Sequence, residues 1–232
     1  MTKVLGVIGG VGPESTIDYY RRLLAAWSAR CGETSQPPLL IDSVDMPRML
    51  ALLGAGDRAG LADYLVAELG RLERAGADLA LISSNTPHVV FDELRSRVAI
   101  PLISIVETAC DAAAALGLKR VGLFGTRFTM SGAFYPGVFA RSGIEVVAPS
   151  PDEQAEIHDR YMGELVRGQF RDETRARLLE IADRLRFDER IDGLVLGGTE
   201  LPLLLRAPTH AGLPLLDTTA LHVDRAVSRM LE

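Results

Sequence analysis

Two short segments, LISSNTPHVV (81–90) and LVLGGTELPL (194–203), carry the residues best suited to chemistry in this chain. Each reads as a buried strand running into a short polar turn. Ser84, Asn85 and Thr86 form the first turn; Gly198, Thr199 and Glu200 form the second. Short polar side chains beside the open N–H groups of a starting helix suit a carboxylate or another small anion. Proton transfer is harder to assign. Ser84 is a weak acid with no base next to it in sequence. His88, four residues on, comes within reach if a helix starts at the turn; alternatively Ser84 caps that helix and His88 is packed or on the surface. Glu200 is the titratable side chain of the second turn, placed either to move a proton or to hold backbone amides at a helix start. The turn GVGPEST adds Gly10, Ser15 and Thr16 as ligand contacts, and lacks the GK[ST] ending of a phosphate loop. The turn GTRFTMS adds Thr126 and Thr129, as contacts or as ordinary N-caps.

Positioning these turns requires a sheet. Apolar runs at 4–8, 38–44, 79–83, 101–105, 120–125, 144–149, 193–197 and 214–217 alternate with amphipathic stretches such as ESTIDYYRRLLAAWSAR, LADYLVAELGRLERAG and DETRARLLEIADRL. That alternation predicts an α/β fold with parallel sheets covered on both faces. The chain also repeats itself. VLGVIGG aligns with RVGLFGT, DLALISSNT with DGLVLGGTE, and IPLISIVETA with LPLLDTTALH, which pairs Gly6 with Gly122, Asp78 with Asp192, Ser84 with Gly198 and Pro101 with Pro214. Two pseudo-symmetric α/β domains follow, with expected bounds 1–102 plus 213–232 for the N-terminal half and 103–212 for the second. Ligands sit beyond the carboxyl ends of parallel strands, so the expectation is one cleft between the halves with a polar turn on each wall.

Composition narrows the partners. A net charge of −6 and no basic tract argue against nucleic acid. No apolar run is long enough for a membrane span, and no signal segment precedes the first strand, so a cytoplasmic location is expected. The two cysteines, Cys31 and Cys110, have no metal-type spacing and are expected to be reduced thiols, with no metal site.

The segments LGVIGGVGPESTIDYY, SNTPH, PLISIVE, VGLFGTRFTMSGAFY, LVRGQF and LGGTELPLLL, in this order, resemble the aspartate/glutamate racemase family, in its aspartate racemase and broad-specificity branch. The resemblance implies a homodimer of two-domain chains that bind an amino acid in the cleft and need no pyridoxal phosphate or other cofactor. It also implies that two facing cysteines exchange the α-proton, one residue accepting it and the other returning it. Here the chain departs from the pattern, with Ser84 and Gly198 at the cysteine positions. By the same resemblance Arg48, in DMPR, stands where the family grips a distal carboxylate, and Arg167, in LVRGQF, stands near a family lysine. A guanidinium can hold a carboxylate bidentately, which favours an aspartate- or glutamate-like ligand. Three functions stay open. The first is a racemase-like isomerase working without thiols. The second is one-sided carbanion or oxyanion chemistry, as in a decarboxylase, lyase or hydrolase. The third is a carboxylate-binding protein without catalysis.

Overall fold

A computed structural model describes residues 2–232 and divides the chain into two α/β units. One unit ends at Ile105 and takes back His222–Glu232; the other is Val106–Leu221. The first contains β1 (Leu5–Gly9), α1 (Pro13–Cys31), β2 (Leu39–Ser43), α2 (Met46–Gly54), α3 (Arg58–Arg74), β3 (Leu79–Ile82), a 3-10 turn at Thr86–Val90, α4 (Phe91–Arg97) and β4 (Leu102–Ile103). Its four strands run in the order β2-β1-β3-β4, all parallel. Side chains alternate across β1. Leu5 and Val7 pack with Tyr19, Leu23 and Trp27 of α1, while Ile8 packs with Leu65, Leu69 and Leu72 of α3. Both sheet faces are therefore covered, which explains why these strands read as unbroken apolar runs. Pro13 suits the first turn of α1, where its missing N–H costs nothing.

The second unit contains α5 (Ile105–Ala115), β5 (Arg120–Gly125), α6 (Arg127–Met130), α7 (Phe134–Ala140), β6 (Glu145–Val147), α8 (Pro151–Gly163), a 3-10 turn at Leu165–Arg167, α9 (Asp172–Asp188), β7 (Gly193–Gly197), α10 (Leu201–Leu204), β8 (Thr209–His210), β9 (Leu213–Asp217) and the start of α11 (Thr218–Leu231). Its order is β6-β5-β7-β9-β8, with β8 antiparallel to β9. Phe124, Leu194 and Leu196 meet Ile157, Tyr161, Leu178, Ile181 and Leu185 in its core. No helix among the described residues is long and apolar enough to cross a membrane.

The repeat extends to individual contacts. A Cβ on Gly6 would lie 3.1 Å from both Ala77 and Leu72, and one on Gly122 would lie 2.8 Å from Ile191 and 3.4 Å from Leu185. Each glycine thus lets the equivalent helix approach its central strand. Asp78 accepts the Val4 N–H at 2.7 Å, and Asp192 accepts the Lys119 and Arg120 N–H groups at 2.7 and 3.1 Å. The same carboxylate therefore ties down the start of the central strand in both units. The expected bounds need correction at one point. Residues 213–217 do not return to the first half, because β9 pairs with β7, Leu194 opposite Leu215. The chain returns only with the later part of α11, where Val223, Ala226, Val227 and Met230 pack against Leu5 and Val7.

Candidate functional site

The strand-end turns differ in how much of their polarity is already used. After β1, Gly10 has φ +81, and a Cβ there would sit 2.6 Å from the Val44 carbonyl oxygen, so glycine is required by the close passage of the chain after β2. The Gly10 N–H donates to Thr16 Oγ1 at 2.8 Å, and fully buried Ser15 donates to the Ser83 carbonyl at 2.7 Å. The polar groups of Gly10, Ser15 and Thr16, expected as ligand contacts, make internal bonds here that brace the β1 and β3 turns. Ser83 completes the brace, its hydroxyl donating to the Ile8 carbonyl at 3.0 Å.

After β3, Ser84, Asn85 and Thr86 are all nearly buried. The Ser84 hydroxyl makes no hydrogen bond to another described residue. His88 does not serve it. Its Nδ1 lies 3.0 Å from the Ser84 carbonyl, and its Nε2 accepts the Ile105 N–H at 3.3 Å. That pattern puts the proton on Nδ1, donated to the main chain. The ring stacks on Phe91 with centroids 4.7 Å apart. Burial first, then the neighbouring His222, lowers the His88 pKa to about 3. His222, held between the Ile103 carbonyl at 3.0 Å and the Tyr19 hydroxyl at 2.9 Å, is lowered to about 4 by burial. His88 is therefore packed and not on the surface, and Ser84 caps no helix. A neutral buried histidine fixes the Ser84 turn and leaves the serine without a base.

After β5, Thr126 caps α6. Its Oγ1 accepts the Thr129 N–H at 3.3 Å and lies 3.2 Å from the Thr129 hydroxyl. Thr129 is fully buried, its methyl set against Gly125 and Gly197. Thr126 keeps partial exposure, whereas Thr129 is packed beneath the turn it helps to cap through its N–H. The Arg127 N–H donates to His158 Nδ1 at 3.2 Å. Burial and then Arg127 lower the pKa of that imidazole, keeping it a neutral acceptor.

After β7 comes the most elaborate of these turns. Thr199 and Glu200 are almost fully buried. Glu200 caps nothing, contrary to one sequence expectation; α10 has no side-chain cap. Its Oε2 accepts the Tyr161 hydroxyl and, at 2.9 Å, the Thr199 hydroxyl. Tyr161 comes from α8, which begins with a full capping box at Ser150 and Glu153 and buries Ile157 and Tyr161 on one face. A Cβ on Gly198 would fall 2.5 Å from Tyr161 Cε2 and 3.0 Å from its hydroxyl oxygen. The tyrosine ring occupies the space a side chain at 198 would need. Burial, followed by the Glu200 carboxylate, raises the Tyr161 pKa well above 10 and keeps the phenol protonated. The sequence reading missed Tyr161, because a tyrosine one turn after Ile157 on an apolar helix face looks like core. Its only signal was the bare glycine at 198.

Four further residues complete the survey. Arg48 is exposed on α2, its guanidinium 4.4 Å from the Tyr64 ring centre, without an ion pair among the described residues. Arg167 ends the 3-10 turn after α8, also exposed. Cys31 is the last residue of α1, about 27 Å along the helix from its start at the β1 turn. Cys110 is buried on α5 with its thiol 3.4 Å from the Ser142 hydroxyl. Neither cysteine belongs to the strand-end turns. Among the described residues, no three His, Cys, Asp or Glu side chains stand together as a metal site.

Known proteins share this plan. The Asp/Glu/hydantoin racemase family model matches residues 8–226. The broad-specificity amino-acid racemase RacX of Bacillus subtilis is 27% identical over 163 residues, 66% of this chain and 67% of its own length. A Yersinia pestis protein assigned to the Asp/Glu racemases superposes with a TM-score of 0.88 at 30% identity, covering 99% of this chain and 100% of its own. An aspartate racemase homologue from Pyrococcus horikoshii OT3 gives 0.83 at 30% identity over 100% of both chains. With the family match running from β1 into α11, the chain belongs to the Asp/Glu/hydantoin racemase family.

Proposed function

We propose that this protein is a cofactor-independent, racemase-like isomerase that binds an aspartate- or glutamate-like amino acid, or a related small carboxylate, and works without a thiol pair. The proposal assigns both thiol-position turns to that one ligand, in the cleft the family resemblance implies. The observation that carries it is the pairing of polar strand-end turns in equivalent sheets. Ser84–Thr86 follows β3 and Gly198–Glu200 follows β7, each nearly buried and each lacking a cysteine. Ser84, Asn85 and Thr86 supply short donors for the ligand's α-carboxylate, Thr199 its backbone N–H, Thr126 a further polar contact, and Arg48 a grip on a distal carboxylate. Arg167 is a weaker candidate for the same task. A family match to racemases supports the substrate class.

A second reading, one-sided carbanion chemistry of the decarboxylase or lyase kind, is favoured by one specific observation. The Gly198 turn has an acid pair, Tyr161 and Glu200, whereas Ser84 has no base. The test is ligand-induced thermal stabilisation by a panel of L- and D-amino acids and dicarboxylates, followed by turnover assays on those that bind. Stabilisation with inversion supports the isomerase. Product without inversion supports the second reading, stabilisation alone a binding protein, and no stabilisation by any member rejects the ligand class. A homodimer is also proposed: Ile17 and Tyr20 of α1 and Ile41 of β2, in the same unit, are exposed apolar residues. Sedimentation at micromolar concentration tests it, and a monomer rejects it.

A further inference from the structure

We infer that Tyr161 and Glu200 are a proton relay that replaces the missing side chain at 198 and acts on one face of the ligand. The inference rests on the ligand reading above. The three groups belong to one unit and are fixed relative to each other. The phenol of Tyr161 lies against the bare Gly198 Cα, its oxygen 3.0 Å from the position a Cβ would take. Behind the phenol, the Glu200 carboxylate accepts the Tyr161 proton, and Thr199 donates a second hydrogen bond to the same oxygen. Tyr161, Thr199 and Glu200 are each at least nine-tenths buried, a setting of low dielectric that strengthens the hydrogen bonds between them.

The relay balances in both directions. As the ligand's α-C–H bond breaks, its proton forms a new O–H bond on Tyr161, and the original phenolic proton passes to Glu200 Oε2. The electron pair stays on the ligand as a carbanion conjugated with its carboxylate. Once the protons held by the pair have exchanged with solvent, reversal returns a solvent-derived proton from Tyr161 to the same face, and Glu200 becomes a carboxylate again. Phenol alone is a poor base, and the carboxylate behind it supplies the basicity. No equivalent exists at Ser84, whose turn is locked by a neutral histidine bound to its carbonyl. The expected outcome is exchange of the α-proton mostly with retention of configuration, inversion through the Ser84 side being the slower process.

The experiment incubates the full chain in D₂O with L-aspartate, D-aspartate, L-glutamate and D-glutamate separately. Loss of the α-proton signal is followed by NMR, and the recovered amino acid is resolved chirally. The wild type is expected to exchange one enantiomer of a bound ligand faster than it inverts it. Tyr161→Phe keeps the ring over Gly198, so it should retain ligand-induced stabilisation while exchange falls about 100-fold or more. Glu200→Gln, which keeps an acceptor oxygen for Tyr161, should show the same fall and provides the test if Tyr161→Phe does not fold. Binding without exchange in the wild type overturns the relay and leaves the ligand reading intact. So does undiminished exchange in either folded variant, or inversion as fast as exchange. Absence of binding by all four removes the ligand reading, and the relay with it.

Discussion

Substituting Gly198 by alanine tests the site at its tightest point. The added Cβ would sit 2.5 Å from Tyr161 Cε2 and 3.0 Å from Cζ and the hydroxyl oxygen, against about 3.5–4.0 Å for ordinary carbon contacts. About 1 Å of overlap must be relieved. The ring cannot simply swing away, because its hydroxyl is bonded to Glu200 and its body is packed in the cluster with Ile157, Leu165 and Leu201. Backbone strain is not the issue, since Gly198 is not among the glycines with positive φ. Overpacking of this kind costs about 1–3 kcal/mol, which lowers Tm by roughly 2–12 °C for a chain of this size. The decisive assay is a double-mutant cycle by urea denaturation. Tyr161→Ala alone costs about 3–5 kcal/mol, but in that background Gly198→Ala should be neutral or stabilising, giving a coupling of about 1 kcal/mol or more. Equal costs in both backgrounds, or no cost in the wild type, would refute the claim that the ring owns this space. The same geometry predicts that Ser84→Cys with Gly198→Cys gives no racemase while Tyr161 is intact.

Other expectations follow from the same contacts. His88 and His222 are held near pKa 3 and 4, chiefly by burial, against an ordinary 6.5. Below pH 6.5 the unfolded chain binds protons that the folded chain refuses, so this stability is complete above pH 6.5 and is lost as pH falls toward the folded values. Between pH 6.5 and 5 the loss is about 2 kcal/mol per histidine, and a urea midpoint that stays flat over that range contradicts it. Ser15→Ala removes the donor to the Ser83 carbonyl and should cost about 1 kcal/mol by denaturation, and a neutral change would show that the brace is unimportant. If Arg48 grips a distal carboxylate, Arg48→Ala weakens aspartate binding by about tenfold more than alanine binding, read by calorimetry; an equal effect on both ligands removes that role.

What the sequence discloses and what it hides divide along one physical line. Strands covered on both faces must be apolar throughout, so β5 and β7 are legible as RVGLFG and GLVLG, whose bounds match Arg120–Gly125 and Gly193–Gly197. The duplication is legible because each copy needs the same glycine under a helix and the same aspartate at a strand start. The two-residue β8 is too short to carry a period. Roles of the polar residues are a different matter, since Ser15, Thr16 and Thr126 have the right chemistry for a ligand and also bond the backbone. Tyr161 is hidden for the opposite reason. Its apolar setting disguises a hydroxyl whose partner, Glu200, lies 39 residues away. The glycine at 198 looks like the loss of a functional group only until the ring above it is seen. Gly198 and Tyr161 form one feature, because neither a larger residue at 198 nor a displaced ring at 161 is compatible with the other in place. The chemistry at this turn must therefore be sought in the phenol and the carboxylate behind it.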